Sequence, residues 1–426
     1  MSISLFEAAQ SSTPKGARYA RLVILTLVAL LLVKTVWFSN LLQGESPRQL
    51  MDFDAFYIVA QMIRRGELVH AYHFATMFEA QKAMSGTQSF MPWTYPPPFD
   101  LVIAPLALLP LGLAYGLFTG GTFAAYLAIL KRISGEHFPV ALIVLLPTLA
   151  VTISCGQNGF LTGTLIGLTC LGFQRRSAWA GIPLGLMIIK PHLAVAFAVY
   201  TLATRRWAAA GLAAATALAA SALATLLLGP EVWAAFLRGA KEARVFLEHG
   251  MYPLFRMVSP YAALHTFGAP AGMAMAAQVL VAGLALGAVG LSVHRGLPLR
   301  QSLGLTALAS LLISPYAYDY DLPVLGIGLA LLLPDLIRWG RESERAALYG
   351  LALFAGGFGM AQSVRLLAEF GPKAAEFDPG DAPLSVAGLA LPALMALAWR
   401  ILRRARESRS AFAPVAQEAG MSGARA

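Results

Sequence analysis

Arg21-Leu22-Val23-Ile24-Leu25-Thr26-Leu27-Val28-Ala29-Leu30-Leu31-Leu32-Val33 opens an apolar run that continues past Lys34 to Leu42, and Met51-Asp52-Phe53-Asp54-Ala55-Phe56-Tyr57 follows it. The run is long enough to span a bilayer as a helix, with Lys34 near one end able to snorkel to the interface. Arg18 and Arg21 precede it and no small-x-small cleavage site follows, so it reads as a signal anchor with the amino terminus inside. Similar runs recur along all 426 residues, of which 58% are hydrophobic and 13% charged, with a mean hydropathy of +0.65. A soluble domain carries roughly 25% charged residues. The runs do not alternate apolar and polar residues as barrel strands would, which leaves the α-helix as the spanning element. The expected fold is an all-α polytopic membrane protein.

Orientation follows from the basic clusters: Lys131-Arg132, Arg175-Arg176, Arg205-Arg206, Arg295 with Arg300, Arg338 with Arg341, and the tail from Arg400 to Arg409. Lys and Arg accumulate in cytoplasmic loops, so the net charge of +10 is a topology signal, and no nucleic-acid partner is expected. Placing every cluster inside gives about twelve membrane segments with both termini inside. They are 19–42, a return ending by 131, 137–153, 158–174, 178–190, 191–204, 207–228, 271–293, 299–315, 319–337, 345–367 and 384–403. A cytoplasmic tail (1–18) precedes the membrane domain (19–404), and a basic, disordered tail (405–426) follows it. No internal repeat is visible. Cys155 and Cys170 flank one predicted helix, which argues against a disulfide.

Four polar interruptions then fall on the outer side, where polar groups gathered at one end of a bundle mark a site. The first is Asp52 to Pro98, an outer segment expected to hold two short interfacial helices. Phe53, Phe56, Tyr57, Ala60 and Ile63 have helical spacing before Arg64-Arg65-Gly66, and Phe74, Met77, Phe78 and Gln81 suggest the second helix. Tyr95-Pro96-Pro97-Pro98 then forces an extended stretch. Residues 99–110 dip into the membrane obliquely, and a full span follows at 111–131. The other interruptions are Cys155-Gly156-Gln157-Asn158-Gly159, Lys190-Pro191-His192, and Ser314-Pro315-Tyr316-Ala317-Tyr318-Asp319-Tyr320-Asp321. The outer loop 229–268, with Arg256, joins them.

Each interruption has two readings. Asp52 is a helix cap or a general base, and Asp54, two residues on, points to a different face. Proline breaks the backbone ladder after Lys190, so two half-helices meet at a polar break where Lys190 and His192 can meet a phosphate; the alternative is a lysine that snorkels outward. Gln157 and Asn158 form a tight turn or contact sugar hydroxyls. Arg256 is a second cation for the phosphate or a loop arginine on lipid headgroups. Tyr318 fits an aromatic belt, but Asp319 and Asp321 do not. No phosphate loop or dinucleotide fingerprint is present.

Together these motifs resemble glycosyltransferase family 87: an Asp after the first helix followed by Phe-x-x-Phe-Tyr, a Tyr-Pro-Pro-Pro-Phe run, a Gly-Gln-Asn turn, a Lys-Pro-polar break followed by Arg-Arg-Trp, and Ser-Pro-x-x-x-x-Tyr-Asp-Leu. The resemblance covers roughly 20 to 400. It implies a multi-helix GT-C fold, a polyprenyl-phosphate-mannose donor and an α-mannosyl product. Carried over, the catalytic role falls on Asp52, with Asp54 as second choice. Tyr57, Tyr95, Gln157, Asn158, Lys190 and Asp321 fall at matching motif positions. Relatives carry Gln where this chain has His192.

The expected function is therefore a hexosyltransferase, a mannosyltransferase by the resemblance, in a bacterial-type plasma membrane with its site on the outer face. Asp52 is the expected catalytic residue. Asp54, Tyr57, Tyr95, Gln157, Asn158, Lys190, His192, Arg256, Tyr318, Asp319 and Asp321 are the expected substrate-binding residues. No cofactor and no bound metal are expected, although Asp52, Asp54, Asp319 and Asp321 are of the right type for an oxygen site. The expected partners are the lipid-linked sugar donor, a glycan or glycolipid acceptor, and the bilayer. Transfer of another sugar, glucose or arabinose, is the nearest alternative. A transporter or flippase is the alternative from another class, and would place its charges nearer the midplane.

Overall fold

The structure, a computed structural model, describes residues 3, 7, 8, 10–40, 48–371 and 382–405. Most of the amino-terminal tail before 10, the end of the anchor at 41–42 and the basic tail from 406 lie outside the described residues. Among those described there is no strand, and Met257 and Tyr318 form one isolated antiparallel bridge. Six helices are long and apolar enough to cross a membrane: Pro14–Ser39, Leu111–Val144, Trp207–Leu228, Ala271–His294, Glu342–Phe370 and Val386–Ala405. Five shorter apolar helical stretches accompany them. The chain is an all-α polytopic membrane protein.

Helix α1 (Pro14–Asn40) packs on the long helix α5 (Leu111–Ser134). The contact is close because Gly112, Gly116 and Gly120, four apart, face Ser39, Thr35 and Leu31; a Cβ on Gly112 would lie 1.9 Å from Ser39 Oγ. Small residues at this spacing let two backbones approach in a bilayer. Between these helices come α2 (Asp52–Arg65), closed by Gly66 in the left-handed region at φ 74°, and α3 (Phe74–Ser85). Both match the spacing read from sequence. Pro96 is extended, α4 runs Pro97–Ile103, and a 3-10 turn from Ala104 to Leu108 leads to α5. This is the broken stretch the prolines required.

The next span breaks into α6 (Phe138–Val144) and α7 (Leu146–Cys155), with Pro147 at the start of α7. Gly156, at φ 68°, ends α7, and α8 (Gly159–Gln174) leads away. Helix α9 (Gly181–Leu186) and a 3-10 turn to Ile189 stop at Lys190. Pro191 starts a second 3-10 turn, which continues as α10 (Val195–Ala203). The helix is broken at Lys190, where the proline argument put the break. After α11 (Trp207–Leu228), the stretch read as a loop at 229–268 contains an 18-residue helix, α12 (Glu231–Glu248). Its buried stripe of Val232, Ala235, Gly239, Ala243 and Leu247 explains the helix. The bundle is completed by α13 (Ala271–His294), α14 (Leu299–Ser310), α15 (Pro323–Trp339), α16 (Glu342–Phe370) and α17 (Val386–Ala405). Leu218, Leu226 and Leu227 on α11 are exposed, as a lipid-facing surface requires. Cys155 and Cys170 are both free and buried.

Candidate active site

A cavity of about 850 Å³ opens where α2, α3, α12 and the breaks at 157, 190 and 314–320 meet. Asp52, Tyr95, Gln157, Lys190, His192, Arg256 and Tyr318 line it. Residues from four separated interruptions therefore share one space. Asn158, Asp319 and Asp321 stand directly behind that wall. Asp54 and Tyr57 do not line it.

Helix α2 brings Asp52 to the cavity because its other face is anchored. Phe53 packs edge-on to Phe38 and Tyr115 at 5.7 and 5.4 Å between ring centroids, and Phe56 meets Phe99 at 5.2 Å. The capping role open to Asp52 falls to Asp54. Its Oδ2 accepts from the Met51 N–H at 2.8 Å, and Arg48 forks onto both its oxygens at 2.7 and 2.9 Å. Asp54 is thus a buried structural carboxylate at the positive end of the helix. Tyr57 is also structural, donating its hydroxyl to the Leu109 carbonyl at 2.9 Å. Asp52 is left facing the cavity, where Oδ1 accepts from Gln157 Nε2 at 3.2 Å and Oδ2 lies 3.7 Å from Arg256 Nη1.

Each of the two cations has its own buried carboxylate. Lys190 Nζ donates to Asp321 Oδ1 at 2.5 Å and lies 3.5 Å from Asn158 Oδ1. Its side chain is about nine-tenths buried and turned to Asp321 at the cavity wall instead of reaching outward. Arg256 donates to both oxygens of Asp319, at 3.2 and 2.9 Å, and to Cys155 Sγ at 3.0 Å. The Val258 N–H to Ala317 carbonyl bond (2.7 Å) and the isolated Met257–Tyr318 bridge hold together the two backbone segments that carry this pair. Burial acts to lower the pKa of Arg256; Asp319, Cys155 and Asp52 outweigh it, and the net shift is upward. Burial pushes the Tyr318 phenol well above its ordinary value, so it faces the cavity as a neutral hydroxyl. These pairings engage Asp319 and Asp321 as counter-ions, and no group of three or more His, Cys, Asp and Glu that could hold a metal ion occurs among the described residues.

Tyr320, a cavity residue that sequence reasoning passed over, sits between the cations. Its ring is 5.1 Å from Lys190 Nζ and 5.6 Å from Arg256 Cζ, and stacks on Tyr318 at 4.9 Å. Such contacts favour a cation held over an aromatic face. Gly159 admits Tyr320 closely: a Cβ there would lie 1.9 Å from the Tyr320 carbonyl oxygen. Arg48 and Asp100 were also missed. Asp100 is buried and accepts from Tyr72 Oη at 2.7 Å and Trp93 Nε1 at 3.0 Å, tying the loop to α4. A carboxylate inside the apolar stretch 97–108 was the available signal. The far half of the cavity is aromatic, with Phe74, Phe78, Phe90, Phe246, Tyr252 and Tyr316. Phe74 lies 4.8 Å from Phe90 and 5.4 Å from Phe246.

The model of glycosyltransferase family 87 matches residues 93–315, more than half of the chain. No curated protein and no solved structure matches the chain. The matched span takes in Tyr95, Gln157, Asn158, Lys190, His192 and Arg256, while Asp52 and the 318–321 run lie outside it. A helical membrane bundle with a carboxylate, two held cations and an aromatic chamber on one cavity agrees with that match. The chain belongs to glycosyltransferase family 87 and is a membrane glycosyltransferase.

Proposed function

We propose that the protein transfers a hexose, mannose in our reading, from a polyprenyl-phosphate donor to an acceptor hydroxyl, with inversion, at the outer face of a plasma membrane. The observation that supports this most is that Asp52, Lys190 and Arg256 line one cavity. The acceptor oxygen attacks the anomeric carbon while its proton passes to Asp52. The bond from that carbon to the phosphate oxygen breaks, and its electron pair leaves on the polyprenyl phosphate. A phosphate leaves as an anion and needs no general acid, whereas glycoside hydrolysis uses two carboxylates across the bond. Lys190 and Arg256 stabilise the charge that develops on the leaving group. Held by Asp321 and Asp319, they are already oriented before the donor arrives. Displacement from the face opposite the phosphate turns a β-linked donor into an α-linked product. The aromatic half of the cavity suits an apolar chain on the donor. The choice of mannose rests on the family motifs, and the outer face on the distribution of Lys and Arg.

The test is to incubate membranes containing the full chain with labelled polyprenyl-phosphate mannose, and with the glucose and arabinose counterparts, and to identify the labelled product. We expect label to move from the mannosyl donor, and Asp52→Asn to reduce the rate by roughly 10²–10⁴-fold. Full turnover by Asp52→Asn would remove Asp52 as base. Uptake of the lipid without sugar transfer would favour transport.

A further inference from the structure

Gln157 joins more of the polar wall than any sequence motif suggested. Its Oε1 accepts from the Tyr95 hydroxyl at 2.9 Å and from the Asn158 N–H at 2.8 Å. A backbone N–H only donates, so the second contact decides which end of the carboxamide is oxygen. Nε2 is then the atom turned to Asp52, 3.2 Å from Oδ1. The backbone beneath is equally constrained. Gly156 closes α7 in the left-handed region, and a Cβ there would lie 2.6 Å from the Cβ of Phe53, the residue after Asp52. The turn that carries Gln157 and the helix end that carries Asp52 are therefore packed directly on each other.

We infer that Gln157 is a positioning residue for Asp52: it engages Oδ1, leaves Oδ2 to take the acceptor's proton, and is itself locked by Tyr95. The inference rests on the reading of Asp52 as the base. It assigns Gln157 no contact with the sugar, since its oxygen is occupied by two donors and its nitrogen is turned to the carboxylate. In the transfer step the acceptor O–H pair forms the new carbon–oxygen bond, the proton goes to Oδ2, and the pair of the broken bond leaves with the phosphate. Without Gln157 the Asp52 carboxylate keeps only the longer Arg256 contact at 3.7 Å, its orientation is less defined, and the fraction of encounters with a lone pair on the acceptor hydroxyl falls.

The experiment uses membranes containing the full chain, with enzyme quantified by immunoblot and labelled polyprenyl-phosphate mannose varied in concentration. The variants are Gln157→Met, Tyr95→Phe, the double variant, and Asp52→Asn. Gln157→Met keeps the volume and removes both polar ends. We expect its kcat to fall roughly 10–100-fold, the size of a lost hydrogen bond to a charged group, with the donor KM within about twofold of wild type. Tyr95→Phe should lower kcat roughly 3–10-fold. The double variant should be no slower than Gln157→Met, because Tyr95 acts through Gln157. A raised donor KM with unchanged kcat would make Gln157 a substrate contact and overturn the inference, as would effects of the two changes that multiply. Tyr95→Phe retains the fold's ring packing, so its kcat-to-KM split decides the matter even where Gln157→Met fails to accumulate. Loss of rate in Asp52→Asn with no kcat effect in Gln157→Met defeats this inference alone. Full rate in Asp52→Asn defeats the reading beneath it.

Discussion

Replacing Lys190 by methionine strands a carboxylate. Asp321 is fully buried, and Lys190 Nζ sits on its Oδ1 at 2.5 Å. Oδ2 keeps only a long contact from the Tyr318 N–H, at 3.3 Å. Removing one member of a buried pair costs about 3–5 kcal/mol, because the other charge stays desolvated. The long residual contact offsets little of this, so Lys190→Met should cost about 3–4 kcal/mol. Asp321→Asn should cost less, about 2–3 kcal/mol, because the stranded ammonium keeps Asn158 and the Tyr320 and Tyr95 rings beside it. The double variant removes both charges at similar volume and should be more stable than either single by about 2 kcal/mol. The assay is thermal or denaturant unfolding of the purified full chain in micelles, with transfer rate measured in parallel. Activity should not return with stability: without the cation the rate stays roughly 10²–10³-fold down. A double variant less stable than both singles, or one that recovers transfer, refutes the pairing argument.

Asp54→Ala should cost about 3 kcal/mol of stability, by freeing Arg48 and the Met51 N–H, while the folded fraction keeps its turnover; a dead but stable variant would restore Asp54 as a base. Asp100→Ala leaves the Trp93 N–H without its acceptor and the Tyr72 hydroxyl with only the Tyr95 carbonyl at 2.9 Å, and should lower stability by about 1–3 kcal/mol, read as a shifted unfolding midpoint. Gly159→Ala places a methyl against the Tyr320 carbonyl and should cost about 1–3 kcal/mol and reduce transfer by moving Tyr320; an unchanged rate would show that Tyr320 needs no fixed position. Transfer should survive excess chelator, since Asp319 and Asp321 are engaged by Arg256 and Lys190; abolished activity that returns with added divalent metal would contradict this.

What could be read locally was read well. Apolar runs, the Gly66 stop, the Pro96–Pro98 stretch and the Lys190-Pro191 break are each decided by a few adjacent residues, and each appears in the structure. Gly156 and Gly159 bracket a turn for the same reason. The spacing of Asp52 and Asp54 said only that they face different ways. Which one faces the cavity is decided by Arg48, whose guanidinium claims Asp54 from six residues away. The pairs Arg256–Asp319 and Lys190–Asp321 join residues 63 and 131 positions apart, and no local pattern announces them. The helix within 229–268 was legible in its buried stripe, but Arg238, Lys241, Glu242 and Arg244 between the apolar positions made the stretch look like solvated loop. Tyr320 was hidden among similar neighbours in a tyrosine-rich run.

The distance in sequence between Lys190 and Asp321 has a consequence for biogenesis. The ammonium leaves the ribosome 131 residues before its counter-ion. At synthesis rates of about 5–20 residues per second, this is a wait of roughly 7–26 s. A buried lysine without its counter-ion is costly, so the hairpin around Pro191 has reason to hold Lys190 at the membrane surface until the segment that carries Asp321 emerges. Closure of the cavity wall around Lys190 is then a late event, completed only once Asp321 has been made.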